Sequence, residues 1–471
     1  MVKKFVILFV ITLNFFNLAK SQELKDTISM SFQDLPLEII LDSISYKSGY
    51  NFSYNADIMP HGSLFTLTRY SATVEEILKV LFVGVGLEYK YIEDNIVINQ
   101  STNEKIIRNS RFSTITGWVR DEKTKEPIVG AHVFINGSTI GTTTDVHGNY
   151  KLFDVAPGNY IIVFSHVGYE LASYEMNANN PAHHKINAAL NQSVSLLKDL
   201  EISSTPIVSD DNWINFYVKF RDQFIGNAIN SSRCEFVNPE VLEFAHSDSL
   251  DTYEAIAREP LIMENQGLGY RVFFNLDSYT SSSKEIRFHV TARFENLEAP
   301  TRRVKKRWSK NREKSYMGSK FHFFKALMAD KLKEEGFTMY MIEELDQINH
   351  LGTPVNSGDV LYGSDEAHKF LKFDGYLVVI YDKELQSINY QQDIGNPKSD
   401  YTSFPPAGTR LEFAETAFQK SLLKLDTKQL KILSNGQLIK PEELTSYGYW
   451  SWERMSELIP IDYDPKSDNL K

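Results

Sequence analysis

Cys234 is the single cysteine in 471 residues, so the chain closes no disulfide within itself. A lone thiol between Arg233 and Glu235 in a strand-like stretch reads as a small buried side chain rather than a nucleophile. Past residue 21 no apolar run is long enough to span a bilayer as a helix. Common chemical signatures are missing as well. There is no His-Glu-x-x-His, no Gly-x-Ser-x-Gly, and no phosphate loop closing on Lys-Ser/Thr. Positive charge is in deficit, with 50 Lys and Arg against 61 Asp and Glu, a net charge of −11 and a pI near 5.6. That balance argues against general nucleic-acid binding. Apolar residues are not scarce: 42% hydrophobic and 13% aromatic are ample for packed cores, and the length allows about three domains.

Residues 1–21 have the three parts of a secretory signal. Lys3 and Lys4 form the charged start, residues 5–13 the apolar centre, and Ala19-Lys20-Ser21 the small-x-small cleavage pattern. The mature chain is expected to begin near Gln22, and loss of Lys3, Lys4 and Lys20 takes the net charge from −11 to −14. No Cys follows the apolar centre, so a lipid-anchored route is not expected. An exported chain without disulfides fits the periplasm or the outer membrane of a bacterium.

Residues 28–99 alternate in period. Ile28, Met30 and Phe32 read as a strand, and Leu37, Ile40, Leu41 and Ile44 as one face of a helix that Asp34 caps, with Pro36 in its first turn. Residues 52–58 and 64–68 read as strands. Thr73-Val74-Glu75-Glu76 is a capping box, and Val74, Ile77, Leu78, Leu81 and Phe82 form the stripe behind it. Gly84 and Gly86 end that helix, and a hairpin across Asp94-Asn95 closes the segment. This β-α-β-β-α-β-β order, with Phe32-Gln33-Asp34-Leu35-Pro36-Leu37 and Tyr70…Val74-Glu75-Glu76-Ile77-Leu78, resembles the secretin-and-TonB N-terminal (STN) domain. The resemblance implies a periplasmic module that binds other envelope proteins.

After a polar linker at 100–112, four β-type runs cover 115–119, 131–135, 150–153 and 160–165, each bounded by Gly, Pro, Asn or Asp. Their β-branched and aromatic residues suit a pleated, half-buried surface. Asn136-Gly137 and Asp145-Val146-His147-Gly148-Asn149 supply turns, with Gly148 at a positive φ. One carboxylate at Asp145 makes a poor cation site, and the adjacent His183-His184 point to opposite faces of a strand, so neither reads as a metal centre. Gly117…Asp121…Pro127-Ile128-Val129-Gly130-Ala131 and the run 141–150 resemble the carboxypeptidase regulatory-like domain. That resemblance implies a transthyretin-like β-sandwich without catalytic residues, found beside peptidases and at the front of TonB-dependent receptors.

From residue 207 onward the signals thin out. Residues 213–225 read as a helix with Phe216, Tyr217, Phe220 and Phe224 on one side, followed by strand-like runs at 241–245, 254–257, 270–276 and 284–294. Gly267-Leu268-Gly269-Tyr270 has glycines but not their phosphate-loop spacing, and reads as a turn entering a strand. Residues 302–314 are the sharpest charge feature: Arg302, Arg303, Lys305, Lys306, Arg307, Lys310 and Arg312 lead into an amphipathic helix over 316–336. Three readings compete for them: a solvated helix face, a patch for an acidic partner or lipid headgroups, and, against the overall charge, nucleic acid. Residues 373–382, 430–433 and 449–458 supply later strands and a short helix. Asp365-Glu366-Ala367-His368 sets an acid near a His, a pairing common on surfaces. Phe220-Arg221-Asp222-Gln223-Phe224-Ile225-Gly226, Asn238-Pro239-Glu240-Val241-Leu242 and Gly448-Tyr449-Trp450-Ser451-Trp452-Glu453 resemble the C-terminal region of Bacteroidetes envelope proteins with a regulatory-like domain in front. No activity follows from that resemblance.

The expected architecture is multidomain: a signal peptide (1–21), an α+β STN-like domain (22–100), a transthyretin-like all-β sandwich (113–192) and a C-terminal α+β domain of unknown fold (207–471). The expected role is a non-enzymatic envelope interaction or sensing adaptor with receptor-type front modules but no plug or barrel. It needs no cofactor and no metal, and its partners are other envelope proteins rather than nucleic acid. The alternative is an envelope hydrolase of peptides or glycans with its site in the C-terminal domain.

Overall fold

The computed structural model describes residues 27–55, 58–59, 64–82, 87–92, 95–100, 112–179, 183–193, 210–247, 252–282, 286–344, 352–363, 369–394 and 418–468. The signal region, Gly84, Gly86, Asp94 and the 365–368 acid–His pair lie outside them. The chain divides into two compact units, Met1–Asn109 and Ser110–Lys471.

The first unit runs β1 (Thr27–Pro36), α1 (Leu37–Ser48), β2 (Asn51–Tyr54), β3 (Leu64–Thr73), α2 (Val74–Phe82), β4 (Leu87–Ile92) and β5 (Asn95–Gln100). β1 pairs with β3, while β2, β5 and β4 form a second small sheet. Both helices bury the stripes their periodicity demands: Leu37, Ile40, Leu41 and Ile44 in α1, and Val74, Ile77, Leu78, Leu81 and Phe82 in α2. At α2 the capping box is complete. Glu76 Oε2 accepts from Thr73 N at 2.8 Å, and Thr73 Oγ1 accepts from Glu76 N at 3.2 Å. The start of α1 differs from expectation. Asp34 lies within β1, which runs through to Pro36, and Pro36 is the N-cap, with no side-chain cap.

The second unit opens with the sandwich: β6 (Ser113–Asp121), β7 (His132–Ile135), β8 (Gly141–Thr143), β9 (Asn149–Val155), β10 (Asn159–Ser165), β11 (Ala172–Asn177), β12 (His183–Lys185) and β13 (Ala188–Leu190). One sheet has the order β11-β10-β7-β8; in the other, β6 lies between β9 and the short parallel strands β12 and β13. Ile115, Val119, Val133, Ile135, Leu152, Ile162 and Phe164 fill the space between them. Asp121 ties the ends together. Its Oδ1 accepts from the amides of Lys123 and Thr124, and its Oδ2 from Tyr169 Oη and Gln192 Nε2. These bonds, the Thr124 amide foremost, hold its carboxyl down to about 2.

Asp145 serves the turn: its Oδ1 accepts from the amides of His147 and Asn149. Gly148 follows at φ 74°, and a Cβ there would lie 2.6 Å from the Val119 carbonyl and 2.9 Å from Pro127 Cβ. Positive φ and overlap act together, so Gly148→Val is expected to destabilise this unit by about 2–3 kcal/mol. Urea unfolding of the full chain checks this; an unmoved midpoint would mean the turn relaxes at no cost.

The sandwich is not half-buried. β10 alternates Ile162 and Phe164 into its own core with Ile161 and Val163 on the other face, where they pack with Phe134 against Leu433, and Leu171 and Ile439 lie alongside. The hairpin tip after β7 is bound to distant chain as well. Gly137 N donates to Ala292 O at 2.7 Å, Phe294 N to Ser138 O at 2.9 Å, and Ile461 N to Gly137 O at 2.8 Å. Thr139 N donates to Asp462 Oδ1 at 2.9 Å.

The remainder of this unit starts with α3 (Asp210–Ile225), whose Phe220 and Phe224 are wholly buried with Phe244 and Phe274. They pack on a sheet made of β14 (Cys234–Phe236), β15 (Leu242–Ser247), β16 (Thr252–Ala257), β17 (Leu261–Asn265), β18 (Tyr270–Ser282) and β19 (Ile286–Asn296), in the order β14-β17-β18-β16-β15 with β19 on β18. Then come α4 (Arg302–Tyr316), α5 (Lys320–Met328) and α6 (Leu332–Glu335). The single helix expected over 316–336 is therefore interrupted, and the helix reaches back through the whole basic run. Ser319 starts α5 by accepting from His322 N at 3.1 Å. α5 buries Phe323, Phe324 and Leu327 against a second sheet that includes β20 (Phe337–Ile342), β24 (Tyr376–Leu385), β25 (Phe418–Leu425) and β27 (Leu444–Gly448), where β24 and β25 are numbered after three short strands, β21 (Thr353–Val355), β22 (Leu361–Tyr362) and β23 (Lys369–Leu371), and β27 after β26 (Leu430–Ile432).

Candidate functional site

α4 has two unlike faces. Thr301 caps it, accepting from Val304 N at 3.3 Å. Val304, Trp308, Asn311, Arg312 and Ser315 recur at helical spacing on the inner side, and Trp308 and Ser315 are buried. This face grips the loop between β17 and β18. Trp308 Nε1 donates to Gln266 O at 2.8 Å, Asn311 Nδ2 to Gly267 O at 2.9 Å, and Arg312 Nε to Leu268 O at 2.7 Å. Arg312 Nη2 reaches Gly269 O at 3.1 Å, so four successive carbonyls are held by one helix. The Trp308 ring lies so close to Gly269 that a Cβ there would stand 2.3 Å from it.

The loop amides face the other way. Asn265 Oδ1 accepts from Gly267 N and Leu268 N, both at 3.0 Å, and Asn265 O accepts from Gly269 N at 2.7 Å. A phosphate loop presents free N–H groups to its ligand. Here the amides are consumed and the carbonyls receive cationic and amide donors, so the turn reading of 267–270 stands.

The outer face of α4 carries Arg302, Arg303, Lys305, Lys306, Arg307 and Lys310, all exposed. Arg312 does not belong with them. Its side chain is 12% exposed, its guanidinium sits 4.0 Å from the centre of the Tyr270 ring, and Nη1 lies 3.4 Å from Asp468. Among the described residues, none of the six outer cations pairs with a carboxylate, and the single polar contact of that group runs from Arg307 to Gln266 O at 3.5 Å. Arg302, Lys306 and Lys310 make one i, i+4 row and Arg303 and Arg307 the next. Like charges at that spacing destabilise a helix, and cations in a first turn without an acid oppose the helix dipole. Folding does not compensate that repulsion within the described chain.

A helix face is one of the readings of the basic run, but its inner side is not assigned there because that side is largely polar. The spacing of Val304, Trp308, Asn311 and Ser315 behind a Thr cap was the available signal.

Several acidic groups and the thiol among the described residues have structural partners or are buried. Glu457 Oε1 accepts from Asn230 N at 2.9 Å, and Oε2 from Asn230 Nδ2 at 2.7 Å and Ser315 Oγ at 2.5 Å. Burial raises its pKa, and burial also raises that of Glu453 beside it. Cys234 is buried in β14 with its thiol pushed up to about 12 by desolvation. An open groove of about 740 Å³ is lined by Glu343, Asp374, Tyr376, Lys424 and Asp426. Asp426 is already bonded by Thr445 Oγ1 at 2.6 Å, and Lys424 sits over the Tyr376 ring. Among the described residues no group of His, Cys, Asp and Glu is placed to hold a metal ion, and no helix is long and apolar enough to cross a membrane.

Residues 115–201 match the model of the CarboxypepD_reg-like domain. Within that match, the described residues 115–179 and 183–193 form the β-sandwich. A 57-residue stretch is 46% identical to the TonB-dependent receptor SusC of Bacteroides thetaiotaomicron, covering 12% of this chain and 5% of that receptor. Among solved structures, the type II cohesin-X-dockerin complex of Acetivibrio cellulolyticus matches at 26% identity over 16% of this chain and 52% of that one, with a TM-score of 0.14. The C-terminal domain of the shaft pilin spaA of Lactobacillus rhamnosus GG matches at 19% identity over 17% of this chain and 98% of that one, with a TM-score of 0.15.

Proposed function

We propose that this protein is a non-enzymatic adaptor of the bacterial cell envelope, which docks an anionic partner on the outer face of α4. The observation that carries the reading is the set of six exposed cations without carboxylate partners among the described residues, on a helix whose other face is fixed through four loop carbonyls. A rigid, uncompensated charged face is poised for an encounter and adds little to folding. The partial relation to a TonB-dependent receptor supports an envelope address. In this reading residues 1–21 are a cleaved signal, 22–100 an STN-like domain, 113–192 the sandwich and 207–471 the docking region, and the protein is periplasmic or outer-membrane associated. Partners are other envelope components, not nucleic acid.

The test joins location, turnover and contact. Protein recovered from cells is expected in the envelope fraction with its N-terminus near Gln22, without turnover of peptide, ester or glycoside substrates. A photo-crosslinker at Lys306 is expected to trap an envelope component. Turnover abolished by substituting a carboxylate within 207–471 would establish a hydrolase instead.

A further inference from the structure

We infer that the outer face of α4 docks on a surface of anionic, phosphate-bearing lipid headgroups. This rests on the adaptor reading above and specifies its partner. The face extends about 12 Å from Arg302 to Lys310 at helical rise, so its six charges lie within about one Debye length of one another and act as one source. What this face lacks selects among anionic partners. From 302 to 310 the only apolar side chains are Val304 and Trp308, and both belong to the inner side, with Trp308 committed to Gln266 and Gly269. A protein interface of useful strength has an apolar, aromatic-rich centre and is depleted in lysine. A headgroup surface needs neither, because each Lys or Arg near it contributes additively through charge alone. The one acid on the helix, Glu313, comes after the cationic stretch, and Lys314 beyond it is 3.6 Å from Glu384. With no side chain to insert, attachment is peripheral and reversible by salt. The net negative charge of the remaining chain turns this face, rather than another, toward an anionic surface.

The experiment is co-sedimentation of the full-length protein with vesicles of phosphatidylglycerol mixed with phosphatidylcholine, and with phosphatidylcholine alone. Binding is expected only to the first, and is expected to disappear between 0.1 M and 1 M salt as the Debye length falls from about 10 Å to about 3 Å. The combined change Arg303→Gln, Lys306→Gln and Lys310→Gln is expected to weaken binding about a hundredfold, at roughly fivefold per charge, with the melting temperature unchanged or higher. Wild-type protein that ignores phosphatidylglycerol at low salt overturns the inference, as does binding that salt or the triple change leaves intact. If the Lys306 crosslink in cells is to a protein and vesicles do not bind, the lipid assignment falls while the adaptor reading stands. If there is neither crosslink nor vesicle binding, both fall.

Discussion

A chain ending at Gly448 is expected to lose the folded state of its second unit altogether. Residues 449–468 are short, yet they touch nearly every part of that unit. Trp450 Nε1 donates to Gly318 O at 2.8 Å, and Trp452 Nε1 to Asp393 Oδ2 at 2.7 Å. Asn265 Nδ2, from the residue that shapes the α4-bound loop, donates to Ser456 O at 2.8 Å. Ile461 N and Asp462 bind the sandwich tip, and Asp468 faces Arg312. Tyr449, Trp450, Trp452, Ile459 and Tyr463 are all buried. Removing one buried Trp typically costs about 3–5 kcal/mol, and leaving a buried donor such as Asn230 N without Glu457 about 1–3 more. Two tryptophans, two tyrosines and the Glu457 contacts together exceed the roughly 5–15 kcal/mol that holds a domain folded. Circular dichroism and limited proteolysis check this. A cooperative melt of the second unit after truncation would show that the segment is an accessory.

Trp308→Ala is the second large effect, at about 3–5 kcal/mol for a 3% exposed indole whose loss opens a cavity beside Gly269. Trp308→Phe keeps most of the ring and gives up the bond to Gln266 O, so it is expected to cost more modestly, about 1–2 kcal/mol. The contrast separates packing from hydrogen bonding, and urea midpoints of the two variants measure it. The same pair separates support from contact at the candidate site. Neither substitution removes an outer cation, so vesicle binding per folded molecule should persist in the Phe variant. If the two variants were equally stable, the ring would not be what seats α4.

How much of this was legible beforehand depended on whether the information was local. The stripes of α1 and α2 and the Thr73–Glu76 box are set by residues three and four apart, and the sequence carries them in full. The turn at Asp145–Gly148 is equally local. At β10 the run Tyr160-Ile161-Ile162-Val163-Phe164 did announce a strand, but its unbroken apolar character also meant that both faces are covered. What covers the second face is Leu433, about which no neighbouring residue is informative. Arg312 failed for a related reason. Its composition places it with the cations around it, whereas its role is fixed by carbonyls more than forty positions earlier in the chain. The basic run could be listed from sequence, but the side of the helix on which each charge lies could not.

The hairpin tip at Asn136–Thr139 has a further consequence, for the exchange of modules between proteins. Small sandwiches of this kind are commonly pictured as beads that recombination can lift from one chain and drop into another, with turn tips free to vary. Here Gly137 alone spends its amide on Ala292 and its carbonyl on Ile461, while Gln437 Nε2 donates to the carbonyl of Asn136 at 3.1 Å. An insertion of even one residue in this turn would set three distant segments out of register at once. A transplanted sandwich with a different tip length would fold yet fail to seat, leaving Ile161, Val163 and Leu433 wet. The tip is thus coupled to three distant segments, and variation in tip length should track variation near 292, 437 and 461.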